Sequence, residues 1–346
     1  MLRGALIGVG NVAVHGHLPG WKASGRVEIV AAADARPERR EALAATYPNA
    51  RWHDTAEDLL SSESLDFVDI CTPPGTHAML VRQALSRSLH VLCEKPLVLS
   101  PAEMRGLPAM AVEKERTLFT VHNWKHAPLL AKISELVSSG TVGDVRRVRW
   151  ETLRDKPAAA VGETGNWRVD PAQSGGGILL DHGWHALYTV AQWLPAAPRT
   201  VAANLEVRKH KDFPIEDTAD MFLVYPSASV EIFLTWAADR RANRVEVWGA
   251  GGRLMADGAT LELRDSEGAG LLETWELPSL ADGSHHPDWF AGVIAEFLGE
   301  IDEPKTRGRN LADASFCANV LALAKESSRL GGEPLPIERV VARSRR

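Results

Sequence analysis

The chain has 346 residues, a net charge of −6, 45% apolar residues and 6% aromatic residues, enough for two domains with sizeable cores. With this acidic balance and no long basic run, nothing favours nucleic acid or an acidic membrane surface as a partner, and neither is expected. No stretch reaches the ~18 apolar residues that cross a bilayer, and Met1 leads straight into a strand pattern with no charged leader, so the expected location is cytoplasmic.

Leu2–Val9 is an apolar run that reads as a strand, and Gly8-Val9-Gly10-Asn11-Val12-Ala13 follows as G-x-G-x-x-A ahead of a helical segment. In that pattern the first glycine makes a tight turn, the second admits a pyrophosphate, and the small third residue lets helix and strand pack closely. The phosphates then meet the free N–H groups of the helix start. Pro19 shortens or kinks that helix. Val27–Ala33 is the second strand, and Asp34 ends it. An acid there binds the adenosine ribose hydroxyls and repels a 2′-phosphate, which favours NAD over NADP. Arg36, Arg39 and Arg40 blunt that preference, because an arginine can meet a phosphate. The plainer reading of Asp34 is a helix cap before Pro37, and the glycine loop upstream favours the cofactor reading.

Alternation continues. Pro37–Tyr47 and Thr55–Leu60 read as helices and Leu65–Cys71 as a strand. Thr72-Pro73-Pro74-Gly75-Thr76-His77 is a loop at that strand's exit. Thr76–Ser88 reads as a helix, His90–Cys93 as a strand, Pro101–Arg116 as a helix and Thr117–His122 as a strand. Strands alternating with helices predict a doubly wound parallel sheet, whose ligands bind at the carboxyl ends of the strands. Gly8–Gly10, Asp34, Thr72–Pro74, Glu94–Lys95 and His122–Lys125 all fall at such ends. Val91-Leu92-Cys93 is an apolar run that stops at Glu94-Lys95-Pro96, leaving Lys95 aimed beyond the sheet edge; read alone, this is a surface pair closing a strand.

After Asn123 the pattern changes. Pro128–Ser139 reads as a helix ending at Gly140. Val145–Leu153, Thr200–Arg208, Thr218–Tyr225, Ser229–Trp236, Arg244–Gly249 and Thr260–Arg264 read as strands joined largely without helices. They predict an antiparallel sheet open on one face. Eleven tryptophans against three tyrosines is an unusual ratio; most are expected to fill the core, and exposed ones on the sheet would favour self-association. Trp289–Gly299 and Ala312–Leu330 are late helices, and Glu333–Arg346 a short strand with a basic tail.

Between the first two of these strands lie Gly165-Asn166-Trp167-Arg168 and Gly175-Gly176-Gly177-Ile178-Leu179-Leu180-Asp181-His182-Gly183-Trp184-His185. The triple glycine permits close approach of a ligand or a neighbouring helix. If Leu180–Trp193 is helical, Asp181 and His185 share one face. An acid that orients and an imidazole that moves a proton fit general acid–base work. Two other readings stand beside it. Asp181, His182 and His185 could ligate a metal, but no His-Glu-x-x-His pattern or downstream acid cluster supports one; His185 could equally be a satisfied core histidine. Cys71, Cys93 and Cys317 are far apart with no Cys-x-x-Cys, which suits reduced thiols. No metal is expected.

Taken in order, these segments resemble the glucose–fructose oxidoreductase/inositol dehydrogenase/rhizopine catabolism (Gfo/Idh/MocA) family nearly end to end. Gly8–Ala13 is similar to its dinucleotide loop, Thr72–His77 to its T-P-P-x-x-H segment and Glu94-Lys95-Pro96 to its E-K-P signature. Trp167-Arg168 and Gly175–His185 resemble its W-R and G-G-G…D-x-G-x-H signatures, and Val245–Gly252 its late strand and turn. The resemblance implies a Rossmann domain over residues 1–123 and an α/β domain over 124–346, with a large, mostly antiparallel open sheet and late helices returning to the first domain. It implies homodimers or homotetramers through that sheet.

The resemblance also implies an NAD-dependent oxidoreductase, NADP being the alternative cofactor, acting on a secondary hydroxyl or ketone of a sugar, cyclitol or related polyol. Cofactor contacts are then expected from Gly8, Gly10, Asn11, Val12, Asp34, Arg39, Thr72, Pro73, Pro74, His77, Glu94, Lys95 and Asn123. Catalysis falls to Lys95, Asp181 and His185. Substrate contacts fall to Lys95, Asn123, Lys125, Trp167, Arg168, Asp181, His182 and His185. His185 is expected as the base, with Asp181 fixing its tautomer and Lys95 polarising the same oxygen, although Lys95 and His185 can exchange roles. Three positions depart from the pattern: Tyr188 stands where Asp is frequent, His182 is unusual beside Asp181, and Lys125 replaces a common Arg. Two other classes share the resemblance, an NAD-retaining glycosidase and a non-catalytic dinucleotide-binding regulator. Retention of both Lys95 and His185 argues against the regulator.

Overall fold

Six short apolar runs build the first sheet: β1 (Leu2–Ile7), β2 (Val27–Ala33), β3 (Arg51–His53), β4 (Phe67–Ile70), β5 (His90–Cys93) and β6 (Leu118–Thr120). The computed structural model describes residues 1–158, 166–283 and 285–338. These divide into one unit of residues 1–123 and 283–315 and a second of residues 124–282 and 316–346. In the first unit the strand order is β3-β2-β1-β4-β5-β6, and every pairing is parallel. This is the doubly wound arrangement, with its topological switch between β1 and β4. β4 and β5 are buried along their whole length, as expected of parallel strands covered on both faces. Gly4 is fixed by close approach, since a Cβ there would lie 2.2 Å from the Phe67 ring.

Three sequence expectations change here. β3 is absent from the sequence reading, because three residues are too few to show a period. The helix expected over Pro101–Arg116 is two, Pro101–Met104 and Leu107–Glu113. Gly106, at φ 79°, makes the break, a backbone conformation that glycine adopts readily. The strand expected over Thr117–His122 is only Leu118–Thr120.

Residues 283–315 belong to this unit because of what their helix buries. Pro287–Asp302 carries Phe290 and Phe297 into a cluster with Trp21 and Phe67. Ring centroids are 5.6 Å apart for Phe67–Phe297 and 4.9 Å for Trp21–Phe67, within the range of favourable aromatic pairs. Asn310 caps the outer edge of β6: its side chain accepts the Thr120 N–H at 2.6 Å and donates to the Thr120 carbonyl at 3.0 Å. One amide thus does for β6 what another strand would do.

The second unit holds β7 (Val145–Leu153), β8 (Thr200–Glu206), β9 (Thr218–Val224), β10 (Ser229–Thr235), β11 (Ala242–Gly249), β12 (Arg253–Asp257), β13 (Thr260–Arg264), β14 (Leu271–Glu276) and β15 (Leu335–Pro336). Their order is β14-β13-β12-β11-β7-β10-β9-β8-β15. β7 and β10 pair in parallel, and the other pairings are antiparallel. β12 and β14 were not anticipated from the sequence. The strand expected near the C-terminus is β15, and residues 339–346 of the expected tail lie outside the described residues.

Burial alternates along β9 to β13, so one face is apolar and covered. The Ile178–Trp193 helix lies on that face against β7, β9 and β10. The other face carries crossed charges. Arg147 pairs with Glu231 at 2.8 Å. The guanidinium groups of Arg147 and Arg253 lie 4.8 and 4.6 Å from the Trp248 ring centroid, in cation–π range. Most tryptophans are core residues: Trp21, Trp150, Trp184, Trp236 and Trp289 are fully buried. No helix among the described residues is long and apolar enough to cross a membrane.

Candidate active site

In the first unit the polar strand ends converge around the switch point. Gly8 donates its N–H to the Ala33 carbonyl at 2.8 Å, tying the loop to β2. It sits at φ 94°, and a Cβ there would lie 2.8 Å from the Thr72 nitrogen. Its first task is therefore close packing of the β1 and β4 exits. Gly10 is different. A Cβ there would meet only the Arg36 guanidinium, at 3.8 Å, so the loop offers open backbone at the position where a pyrophosphate would approach.

Asp34, after β2, is held on all sides. Its carboxylate accepts the Val9 N–H at 2.7 Å, the Arg36 N–H at 2.9 Å and the Arg36 guanidinium at 3.1 Å. Burial pushes its pKa up, but the Arg36 side chain and the two backbone N–H groups outweigh this and leave it below the ordinary value. The group is therefore ionised at neutral pH. A carboxylate has about four acceptor positions, and a second Arg36 nitrogen at 3.2 Å takes the fourth, so a ribose hydroxyl would bind by displacing the part-exposed Arg36 guanidinium. Loop and acid together fit a dinucleotide. Arg39 donates to the Asn11 side chain at 3.4 Å, placing both beside the loop. Val12 is half-buried and opens the π-helical turn Ala13–His17.

After β4, the Thr72 and Thr76 hydroxyls hydrogen bond at 2.7 Å, and Pro73 and Pro74 lead into the turn Pro74–Thr76. His77 does not face the crevice: it is wholly buried, and its nitrogens lie 2.7 Å from the Thr72 carbonyl and 2.9 Å from the Pro96 carbonyl. It ties the β4 exit loop to the β5 exit loop. Glu94 is directed inward as well: one carboxylate oxygen accepts the N–H of Lys95 at 2.9 Å, and the other faces His17. Lys95 is half-buried at the end of β5, before a cis peptide bond to Pro96. Asn123 is half-buried and opens the turn Asn123–His126, which also carries Lys125.

In the second unit the helix expected from Leu180 begins at Ile178. The triple glycine answers the choice between ligand and neighbour in favour of the chain's own neighbours. A Cβ on Gly177 would lie 1.8 Å from the Glu216 carbonyl. The Glu216 carboxylate accepts the N–H groups of Gly177 at 2.8 Å and Leu179 at 3.2 Å, filling the helix start with an acid. Asp181 and His182 are half-buried, with His182 Nε2 3.7 Å from the Asp181 carboxylate. His185 is buried, and its Nδ1 lies 2.8 Å from the Tyr188 hydroxyl. That hydroxyl accepts the Trp124 N–H at 2.9 Å. The Trp124 ring stacks on the imidazole at 4.5 Å between centroids.

Asp181 was expected to orient His185; the group on Nδ1 is the Tyr188 hydroxyl. The i, i+3 spacing of the two residues places Tyr188 beside His185 on the helix, although in the sequence it stands out only as a departure from the family pattern. Trp167 and Arg168 are half-buried on the turn Trp167–Val169, with the guanidinium 4.4 Å from the indole centroid. Gly165, which precedes them, lies outside the described residues. Arg154 was missed altogether. It follows β7, is 3% exposed, and donates to the carbonyls of Leu153 and Ala242 and to the Asn243 side chain. A cation at a strand exit was the available signal.

Comparison with known proteins agrees with these features. Residues 2–122 match the oxidoreductase family, NAD-binding Rossmann fold of GFO/IDH/MocA proteins, and residues 130–255 match the GFO/IDH/MocA C-terminal domain. D-apiose dehydrogenase of Paraburkholderia graminis is 31% identical over 330 residues, covering 89% of this chain and 83% of that protein. An uncharacterized oxidoreductase of Bacillus subtilis is 27% identical, over 64% of this chain and 56% of that protein. The chain thus spans little more than half the length of some curated relatives it matches. GenD2 from gentamicin A biosynthesis, solved in complex with NAD, superposes with a TM-score of 0.82 at 24% identity, covering 98% of this chain and 97% of that one.

Proposed function

This chain belongs to the Gfo/Idh/MocA oxidoreductase family, and on that premise we propose that it transfers a hydride between NAD and a secondary hydroxyl or ketone of a sugar, cyclitol or related polyol. The observation that carries this reading is the gathering of the open Gly10 backbone, ionised Asp34, Thr72 and Lys95 at the carboxyl ends of β1, β2, β4 and β5. Gly8, Gly10, Asn11, Asp34 and Arg39 would hold the cofactor. NAD, when bound, supplies the hydride acceptor.

The protein's task is then the proton. Lys95 donates a hydrogen bond to the reacting oxygen and stabilises charge that develops there. His185 accepts the hydroxyl proton at Nε2. For this Nδ1 must hold its own proton and donate it to the Tyr188 hydroxyl oxygen, which has a lone pair left after accepting the Trp124 N–H. Tyr188 thereby orients the imidazole, and Asp181 with Arg168 and Asn123 seats substrate. The test is a screen of sugars, cyclitols and polyols, beginning with pentoses, with NAD and NADP in parallel and absorbance of the reduced cofactor as the readout. Turnover with NAD on a member of that panel is expected. Hydrolysis of glycosides with no net reduced cofactor would replace this reading with the cofactor-retaining glycosidase.

The charged, open face of the second sheet, with Phe222 and Val224 exposed on it, supports a homodimer or homotetramer through that face. Light scattering that gives a monomer at micromolar concentration would count against it. Three buried cysteines without a disulfide suit a cytoplasmic location, which fractionation of the source cells checks.

A further inference from the structure

Beneath the strand ends of the first unit lies a cluster of ionisable groups that the mechanism does not use. The π-helical turn Ala13–His17 directs His17 inward, where it is 1% exposed. Its Nδ1 lies 2.8 Å from an Asp69 oxygen and its Nε2 3.1 Å from a Glu94 oxygen. Asp69, on β4, is wholly buried and also accepts the Trp21 indole N–H at 2.7 Å. The Cys71 sulfur lies 3.2 Å from His17 Nδ1 and 3.5 Å from Asp69. The Phe290 ring stacks on one face of the imidazole at 3.9 Å between centroids.

Both ring nitrogens thus face carboxylate oxygens. A neutral imidazole would turn one lone pair against an anion, and two buried carboxylates without a cation between them would be costly. A doubly protonated ring satisfies both at once. We propose that His17 is a permanently charged clamp between Asp69 and Glu94, and that it positions Lys95 by fixing the carboxylate on which the Lys95 N–H rests. The chain of contacts runs from the turn after the glycine loop, through the imidazolium, to Glu94 and the Lys95 backbone. Charge directions agree. Burial alone pushes the His17 pKa down, but Asp69 and Cys71 raise it well above the ordinary value. Burial pushes Glu94 up, and the His17 hydrogen bond and charge bring it below the ordinary value. His17 touches neither substrate nor cofactor in this scheme; it is a positioning residue. The positioning role rests on the proposed function, whereas the protonation state does not.

Nitrogen-15 NMR of the full chain labelled at histidine tests the clamp directly. One imidazole, missing from the spectrum of His17→Gln, should keep both nitrogens protonated at about pH 8, well above the ordinary ~6.5. A bare ring nitrogen there would overturn the proposal, as would stoichiometric zinc in the purified protein, since Nδ1 would then carry metal in place of a proton. His17→Gln should displace the Lys95 amide resonance and lower kcat about tenfold, with KM for NAD within about twofold. Adding Glu94→Gln removes one of the two carboxylates left without their cation, Asp69 keeping its bond from the Trp21 indole, and lets two amides pair beside Lys95, so the double variant should regain part of both signals. A double variant no better than the sum of its parts would sink the coupling. If no substrate is ever turned over, the NMR results still decide the clamp, and only the proposed function fails.

Discussion

The two groups on which the proposed chemistry depends are held by opposite means. In the first unit, Lys95 follows a glutamate locked by a buried ion network. In the second, His185 is held by a neutral hydroxyl and an indole face. The difference follows from what each group must do. A lysine that only polarises an oxygen keeps one charge throughout, so a fixed field around its backbone costs nothing in turnover. An imidazole that accepts and returns a proton must change charge each cycle. A carboxylate on Nδ1 would favour the charged form at every stage, whereas a hydroxyl orients the ring with less bias.

The sharpest way to break that comparison is to remove the lysine. Lys95→Ala should lower kcat about 10³-fold while NAD affinity, measured by fluorescence titration, stays within about twofold. Turnover near the wild-type rate would remove Lys95 from the chemistry. Asp34→Ala comes next. It removes charge-assisted hydrogen bonds of about 1.5–3 kcal/mol each, so NAD should bind about 10- to 100-fold more weakly. The same change releases Arg36 from its acid, so preference should move towards NADP. An unchanged NAD affinity would mean that another group reads the ribose.

Tyr188→Phe probes the neutral side and should have a smaller effect. Losing the hydroxyl frees the imidazole to rotate and leaves the buried Trp124 N–H without its acceptor. A roughly tenfold fall in kcat is expected, with a stability loss of about 1–3 kcal/mol by urea unfolding. If kcat holds while stability falls, the hydroxyl supports the fold alone, and Asp181 returns as the orienting group.

How far each holding device could be read from the sequence depends on distance along the chain. The glycine loop, Asp34 and the alternation of strands are local patterns with a period, and they gave the parallel sheet. Tyr188 stands three residues from His185 on one helix, so its contact was within reach of spacing arguments. His17 was not singled out, because its partners lie 52 and 77 residues away and only the β4 and β5 pairing brings them together. The return of Pro287–Asp302 to the first core, and the Asn310 amide on β6, are of the same kind. β3 escaped because an edge strand of three residues has no period to detect.

The smallest effect separates the units by the sign of a pH slope. Each contains a buried glutamate beside a cation, yet the two are driven in opposite directions. Glu94 faces the imidazolium and is brought below 4.5; its ionised form favours folding, a gain present above 4.5 and lost as pH falls through the depressed value. For Glu216 burial is the largest influence and outweighs Lys325 and the helix N–H groups, so its pKa is raised above 4.5. Its protonated form favours folding, and that gain is lost as pH rises through the raised value. Replacing each by Gln removes its titration. Between about pH 3 and pH 6, the melting temperature of Glu94→Gln relative to wild type should fall as pH rises. That of Glu216→Gln should rise over the same interval. Parallel slopes would show that the two carboxylates sense the same field, and the contrast between a charge-balanced clamp and a desolvated helix cap would be lost.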